Sequence, residues 1–170
     1  MMKRNLKLRK GFTLIELLIA VTIISILFSL GFANYRSYAQ RQALYSLARV
    51  IEGDLQLAKT NALSGKKPVD CGESALDGYE FSLSGEGYVI SALCKGPETG
   101  KVQDKVGPET EADMSTYSIT SSLEKPIIFK TIGHGTNIDN DKVVITVESL
   151  PLEKSVEIEV LKSGEIKIVK

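Results

Sequence analysis

Lys10-Gly11-Phe12-Thr13-Leu14-Ile15-Glu16-Leu17-Leu18 opens an apolar run that continues to Ala33 as FTLIELLIAVTIISILFSLGFA, 22 residues in which Glu16 is the only charge. As a helix rising about 1.5 Å per residue the run would reach roughly 33 Å, enough to cross a hydrocarbon core. It reads as a membrane span. Lys3, Arg4, Lys7, Arg9 and Lys10 precede it with no acid among them. Basic flanks stay on the cytoplasmic side, so everything after about residue 34 is expected outside. A secretory signal peptide shares the charged start and the apolar stretch. Here the stretch is too long, no A-x-A-like site follows it, and the small residue Gly11 sits before it instead.

Glu16 needs a reason. An ionised carboxylate in a bilayer costs about 2.5–3.5 kcal/mol on insertion scales, so it must be paired, protonated or near enough to the interface to snorkel. A cut after Gly11 would create an α-amine at Phe12, four residues from Glu16. In a packed array one subunit's amine could neutralise a neighbour's Glu16 in low dielectric, where a charge pair is worth far more than in water. That pairing would couple axial register to assembly.

Residues Lys10 to Leu18, set directly before an apolar helix, closely resemble the processing and methylation signature of type IV pilins and type II secretion pseudopilins. The resemblance implies a prepilin peptidase that cleaves between Gly11 and Phe12 and methylates the new Phe12 amine. It also implies that Glu16, the fifth residue of the processed chain, guides subunit docking. The fold implied is α+β and pilin-like: a long N-terminal helix, half in the membrane and half amphipathic, packed on a C-terminal antiparallel β-sheet head. One departure is visible, since many pilins carry a proline at the position of Ala33 and here Gly31 is the only helix-weakening residue nearby.

Beyond the membrane half, Leu44, Leu47, Ala48, Ile51, Leu55, Ala58 and Ala62 recur at spacings of a 3.6-residue period, with Arg41, Arg49, Glu52, Asp54 and Lys59 off the stripe. Ser64-Gly65 supplies a C-terminal cap, with Pro68 just beyond. The helix is expected from Phe12 to Leu63, about 78 Å long.

From residue 66 the period changes to two. Strands are expected at Gly78–Leu83 and Tyr88–Leu93, joined as a hairpin, then at Tyr117–Ser121, Pro126–Ile132, Lys142–Glu148, Ser155–Leu161 and Glu165–Val169. In the last pair Val156, Ile158 and Val160 alternate with Glu157 and Glu159, facing Ile166 and Ile168 alternating with Lys167, so one face is apolar and the other pairs Glu with Lys. Lys95 to Thr116 is polar and turn-rich, with Gly-Pro-Glu-Thr at 96–99 and 107–110, and reads as an exposed mobile loop. The domain organisation expected is a basic leader at 1–11, a transmembrane and assembly segment at 12–33, an amphipathic half-helix at 34–65 and a β-rich exported head at 66–170. Within that plan, Asp54–Ala62 with Gly65–Val69, Ile127-Ile128-Phe129 before Gly133, and Val156-Glu157-Ile158 with Gly164-Glu165-Ile166 are similar to GspH/FimT-type minor pseudopilins.

Other chemistry is sparse. Cys71 and Cys94 are the only cysteines, and on the exported side they fit either one disulfide, worth about 3 kcal/mol on the chain-entropy model, or two buried thiols. Two cysteines and the single histidine, His134, are too few for a zinc site, and no nucleophile or carboxylate can be assigned to His134 as a partner, so a surface loop histidine is the reading. Asn137, Asp139, Asp141 and Glu148 follow part of a calcium-loop spacing. Lys142 stands where that loop needs glycine, and Val143–Val147 reads as a strand, so a hairpin turn is preferred and no metal is expected. No glycine-rich phosphate loop is present, no cofactor is implied, and the chain reads as a structural protein, not an enzyme.

Removing residues 1–11 leaves 16 basic and 21 acidic side chains, a charge of −5. That balance argues against nucleic acid as a partner, with Lys162, Lys167 and Lys170 left as a small basic patch. The partners expected are other pilins or pseudopilins in a filament, the prepilin peptidase and the cytoplasmic membrane, crossed once with the N-terminus inside. Two other readings stay open: a tip or competence-pilus subunit whose head binds DNA or a surface, and an anchored exported protein that never polymerises.

Overall fold

A computed structural model describes residues 11–85, 87–96, 100–108, 114–131, 133 and 135–169, without the side chains of 30–34 and 103. The basic leader before Gly11, His134 and Lys170 lie outside the described residues. One α-helix, α1, runs from Leu14 to Leu63, 50 residues without a break at Gly31 or Ala33. It ends where the sequence placed the cap. Gly65 takes φ +63°, a left-handed conformation that glycine adopts without steric cost. The amide of Lys66 donates to Asn61 O at 3.0 Å and that of Gly65 to Ala62 O at 3.2 Å, which together make a Schellman closure. The phenol of Tyr79 then donates to Lys66 O at 2.7 Å and pins the departing chain.

Eight strands follow: β1 (Ala75–Ser84), β2 (Gly87–Lys95), β3 (Gly100–Gly107), β4 (Tyr117–Ser121), β5 (Ile127–Lys130), β6 (Lys142–Ser149), β7 (Lys154–Leu161) and β8 (Ile166–Val169). They form two four-stranded sheets of order β3-β2-β1-β5 and β4-β6-β7-β8, with every pairing antiparallel. The protein is thus α+β, a long N-terminal helix packed on an antiparallel β head, and the head holds two sheets.

The chain divides into two compact units, Met1–Ala39 and Gln40–Lys170. The amphipathic half-helix, expected as a segment of its own at 34–65, belongs from Gln40 onward to the head. The physical reason is its stripe: Leu44, Leu47, Ala48, Ile51, Leu55, Ala58 and Ala62 are each 0–2% exposed. They share one core with Tyr79, Phe81, Tyr88 and Ile90 of the first sheet and Val143, Ile145, Val147, Val156, Ile158 and Val160 of the second. Alanine at 48, 58 and 62 lets the sheets approach the helix closely.

Residues 95–116, expected as a mobile loop, contain β3. Its register with β2 passes from Ile90↔Lys105 to Ser91↔Gln103, which leaves Asp104 as the extra residue of a β-bulge. The bulge delivers two neighbouring side chains to the same helix: Asn61 Nδ2 donates to Asp104 Oδ2 at 3.4 Å, and Lys105 Nζ to Asp54 Oδ1 at 2.8 Å. Lys101 Nζ reaches Glu80 Oε1 on β1 at 2.6 Å. A polar segment becomes a strand here because its charges have carboxylate and amide partners on α1 and β1.

Candidate functional site: the N-terminal turn and its apolar helix

Gly11, Phe12 and Thr13 precede the helix, and all three are exposed. The Gly11–Phe12 bond therefore sits in open backbone just ahead of the first turn, the kind of segment a protease can reach. A β-carbon at Gly11 would meet nothing within 4 Å, so no crowding inside the chain requires glycine there.

Thr13 is the N-cap, a role that the sequence reading missed. Its Oγ1 accepts from the Glu16 amide at 3.3 Å, and its carbonyl accepts the first helical bond from Leu17 N at 3.1 Å. Thr-x-x-Glu ahead of an apolar run is the signal that would have found it. Glu16 is the acid of the first turn, where a carboxylate meets the positive end of the helix dipole. A cut before Phe12 would add an ammonium to that same end. The turn would then carry two positive contributions and one carboxylate, which is what makes Glu16 the group able to answer a new amine there.

The helix that follows is apolar on every side. From Leu14 to Phe28 its large hydrophobic side chains are 51–82% exposed. The hydroxyls along it are already satisfied: Thr22 Oγ1 donates to Ile19 O, Ser25 Oγ to Val21 O and Ser29 Oγ to Ser25 O, each at 2.8 Å. The expected span, Phe12 to Ala33, includes residues 30–33, whose side chains are not described, and among the described residues no helix is long and apolar enough to cross a membrane.

The head's other candidates resolve into structure. Cys71 and Cys94 form a disulfide, joining the short 3₁₀ turn Val69–Cys71 to the end of β2. The calcium candidates do not converge. Asn137 Oδ1 accepts from Ile128 N at 2.8 Å while Nδ2 donates to Pro126 O at 2.9 Å, so its amide clamps β5. Glu148 lies near the far end of β6, roughly 20 Å along the strand at about 3.3 Å per residue from Lys142, the residue after Asp141. Among the described residues no group of three or more His, Cys, Asp and Glu side chains could hold a metal ion.

One buried polar cluster also went unread. Asp54, off the hydrophobic stripe of α1, is only 6% exposed and accepts from Tyr88 Oη as well as from Lys105 Nζ. Tyr88 in turn requires glycine beside it, since a β-carbon at Gly107 would fall 2.5 Å from its ring. Nearby, burial first and then Asp104 push the Tyr79 phenol above its usual pKa, which keeps it a donor. On the second sheet Glu159 pairs with Lys142 and, at 3.5 Å, with Lys167.

A capped apolar helix with an antiparallel head packed on its far half defines a pilin-like fold. Residues 6–32 match the family described as the prokaryotic N-terminal methylation motif. The chain is 39% identical over 135 residues to the type IV major fimbrial protein FimA of Dichelobacter nodosus, a match covering 69% of this chain and 84% of that protein. It is 30% identical over 120 residues to a fimbrial protein of Pseudomonas aeruginosa, covering 71% of each. With a fimbrial protein of Moraxella nonliquefaciens it shares 31% identity over 91 residues, 54% of this chain and 58% of the relative. No solved structure matches the chain. The chain belongs to the type IV pilin superfamily.

Proposed function

We propose that the protein is a structural subunit of a type IV pilus-type filament, anchored in the cytoplasmic membrane by Phe12–Ala33 until a prepilin peptidase cuts between Gly11 and Phe12. The enzyme methylates the Phe12 amine, and the processed subunit enters the filament with its head outside the membrane. The observation that carries this reading is the N-terminal turn: an exposed Gly11–Phe12 bond, a cap at Thr13, and Glu16 as the acid of the first turn, all ahead of a helix apolar on every side. Glu16 of one subunit answers the Phe12 amine of its neighbour. Such a helix needs an apolar surrounding, and lipid or neighbouring helices supply the same one.

Mass mapping of the N-terminus on cell-derived protein tests processing: the expected start is N-methylated Phe12, and a start at Met1 or past Phe12 overturns it. Glu16→Leu tests assembly. Incorporation into filaments should fall sharply while the head's unfolding is unchanged, and undiminished incorporation rejects the role of the carboxylate.

The fimbrial relatives favour a pilus over a secretion pseudopilus. A minor pseudopilin of the GspH/FimT type is the second reading, supported by the helix end Asp54–Ala62 and the Gly65–Val69 segment after it. The protein's share of purified filaments separates the two, since a pilus shaft is built mainly of one subunit and a minor component is present in traces.

A further inference from the structure

Glu16 and Arg36 are consecutive charges in the sequence, and the 19 residues between them carry none. Both lie on α1 within the compact unit Met1–Ala39. At a rise of about 1.5 Å per residue they stand about 30 Å apart along the helix, the thickness of a hydrocarbon core. The large side chains from Leu17 to Phe28, which fill much of that interval, are 51–72% exposed.

The outer charge has aromatic company. Tyr35 and Tyr38 are 69% and 60% exposed, whereas Tyr79 and Tyr88 in the head are at most 1% exposed. Arg36 is exposed as well and makes no ion pair among the described residues. No acid occurs anywhere from Leu17 to Ile51 to offer it one nearby along the helix. The three residues fall within about 4.5 Å of helical rise. Around a helix that stands through a bilayer the headgroup layer forms a ring, so a shared height counts for more than a shared face.

We propose that Tyr35, Arg36 and Tyr38 form a collar that binds phospholipid headgroups at the outer face of the membrane and fixes the depth of the subunit before assembly. The collar rests on the membrane anchorage proposed above. A guanidinium meets a phosphate group with two parallel hydrogen bonds, and headgroup phosphate surrounds an isolated subunit at that height. Each tyrosine ring lies against the upper acyl chains while its hydroxyl stays among the headgroups. At the same depth Glu16 reaches the inner headgroup layer by extending its side chain, so neither charge is held in hydrocarbon. The interval Leu17–Tyr35 is then the part of α1 that lipid covers.

The chain has no tryptophan, so Tyr35→Trp and, separately, Ile26→Trp midway between the two charges each give the full-length protein one indole. Each variant is reconstituted in vesicles of phosphatidylcholine and phosphatidylglycerol that contain lipid brominated near either the headgroup end or the methyl end of its chains. The indole at position 35 should be quenched about threefold more by headgroup-end bromine, and the one at position 26 more by methyl-end bromine. Arg36→Glu should about halve the headgroup-end quenching at position 35, and Arg36→Lys should keep it. No quenching at position 26 rejects the membrane span itself, and the collar with it. With position 26 quenched, the collar alone is overturned by an indole at position 35 that bromine never reaches, that methyl-end bromine quenches best, or that responds alike to Arg36→Glu and Arg36→Lys. Quenching at position 35 that emerges only as the chain is diluted in lipid overturns it too, by assigning the patch to a second copy.

Discussion

The two halves of α1 draw on similar amino acids and meet opposite fates. Between Leu14 and Phe28 leucine, isoleucine and valine point in every direction, and each is more than half exposed. Between Leu44 and Ala62 most of the apolar residues keep to one stripe, buried to within 2%, and Leu57, 43% exposed, is the large one left off it. The difference lies in pattern more than in composition: a stripe can be covered by the chain's own sheets, whereas a helix apolar all round needs a cover supplied from outside. One half stabilises the fold, and the other is left without a cover from its own chain.

Paired truncations would break that contrast most directly. Ile51→Ala should destabilise the head by about 2–5 kcal/mol in urea unfolding of the full chain in detergent, because the cavity it leaves is closed on all sides. Ile24→Ala should move the same transition by less than about 0.5 kcal/mol. Equal effects would mean that the first half helps to fold the head. Next in size, replacing both cysteines, Cys71→Ser with Cys94→Ser, should cost roughly 3 kcal/mol on the chain-entropy model, read from denaturant midpoints with and without reductant. A smaller loss, about 1 kcal/mol, is expected for Tyr88→Phe, which deletes one donor to Asp54 and leaves Lys105 in place.

The smallest effect is electrostatic. The hydrogen bond from Lys142 holds the Glu159 carboxyl below its usual pKa against partial desolvation, with Lys167 assisting. A depressed folded pKa means that the stabilisation is complete above the unfolded carboxylate range and fades as pH falls through the folded value. Lys142 is shifted upward, first by its hydrogen bond and then by the charge of Glu159, so its share persists below the usual lysine range and fades as pH rises through the raised value. Lys142→Met should flatten the acid side of the stability profile slightly, and an unchanged profile would assign the pair no energetic role.

Much of this arrangement was legible in the sequence because it is periodic. The stripe at 44–62, the cap at Ser64-Gly65 and the alternation of Val156, Ile158 and Val160 all follow from geometry repeated over many residues, and the strands fall within a few residues of where alternation placed them. β3 was not legible. Its lysines and Asp104 are drawn into a sheet by partners on α1 and β1 that lie 21 to 51 residues away in sequence. For the same reason the burial of Asp54 could not be read, since its position off the stripe looks solvent-facing until Tyr88 and Lys105 arrive. The division of the head into two sheets depends on where β5 stops against β1, which no local pattern encodes. At the N-terminal turn the motif marked Gly11, Phe12 and Glu16, but Thr13 was passed over because its part is played through the backbone of Glu16.

The hydroxyls of Thr22, Ser25 and Ser29 have a consequence for reversibility. Each spends its proton on a carbonyl one turn back, so this length of helix can exchange one oily neighbour for another without making or breaking a polar bond. Its passage between two such environments then has little enthalpy of its own.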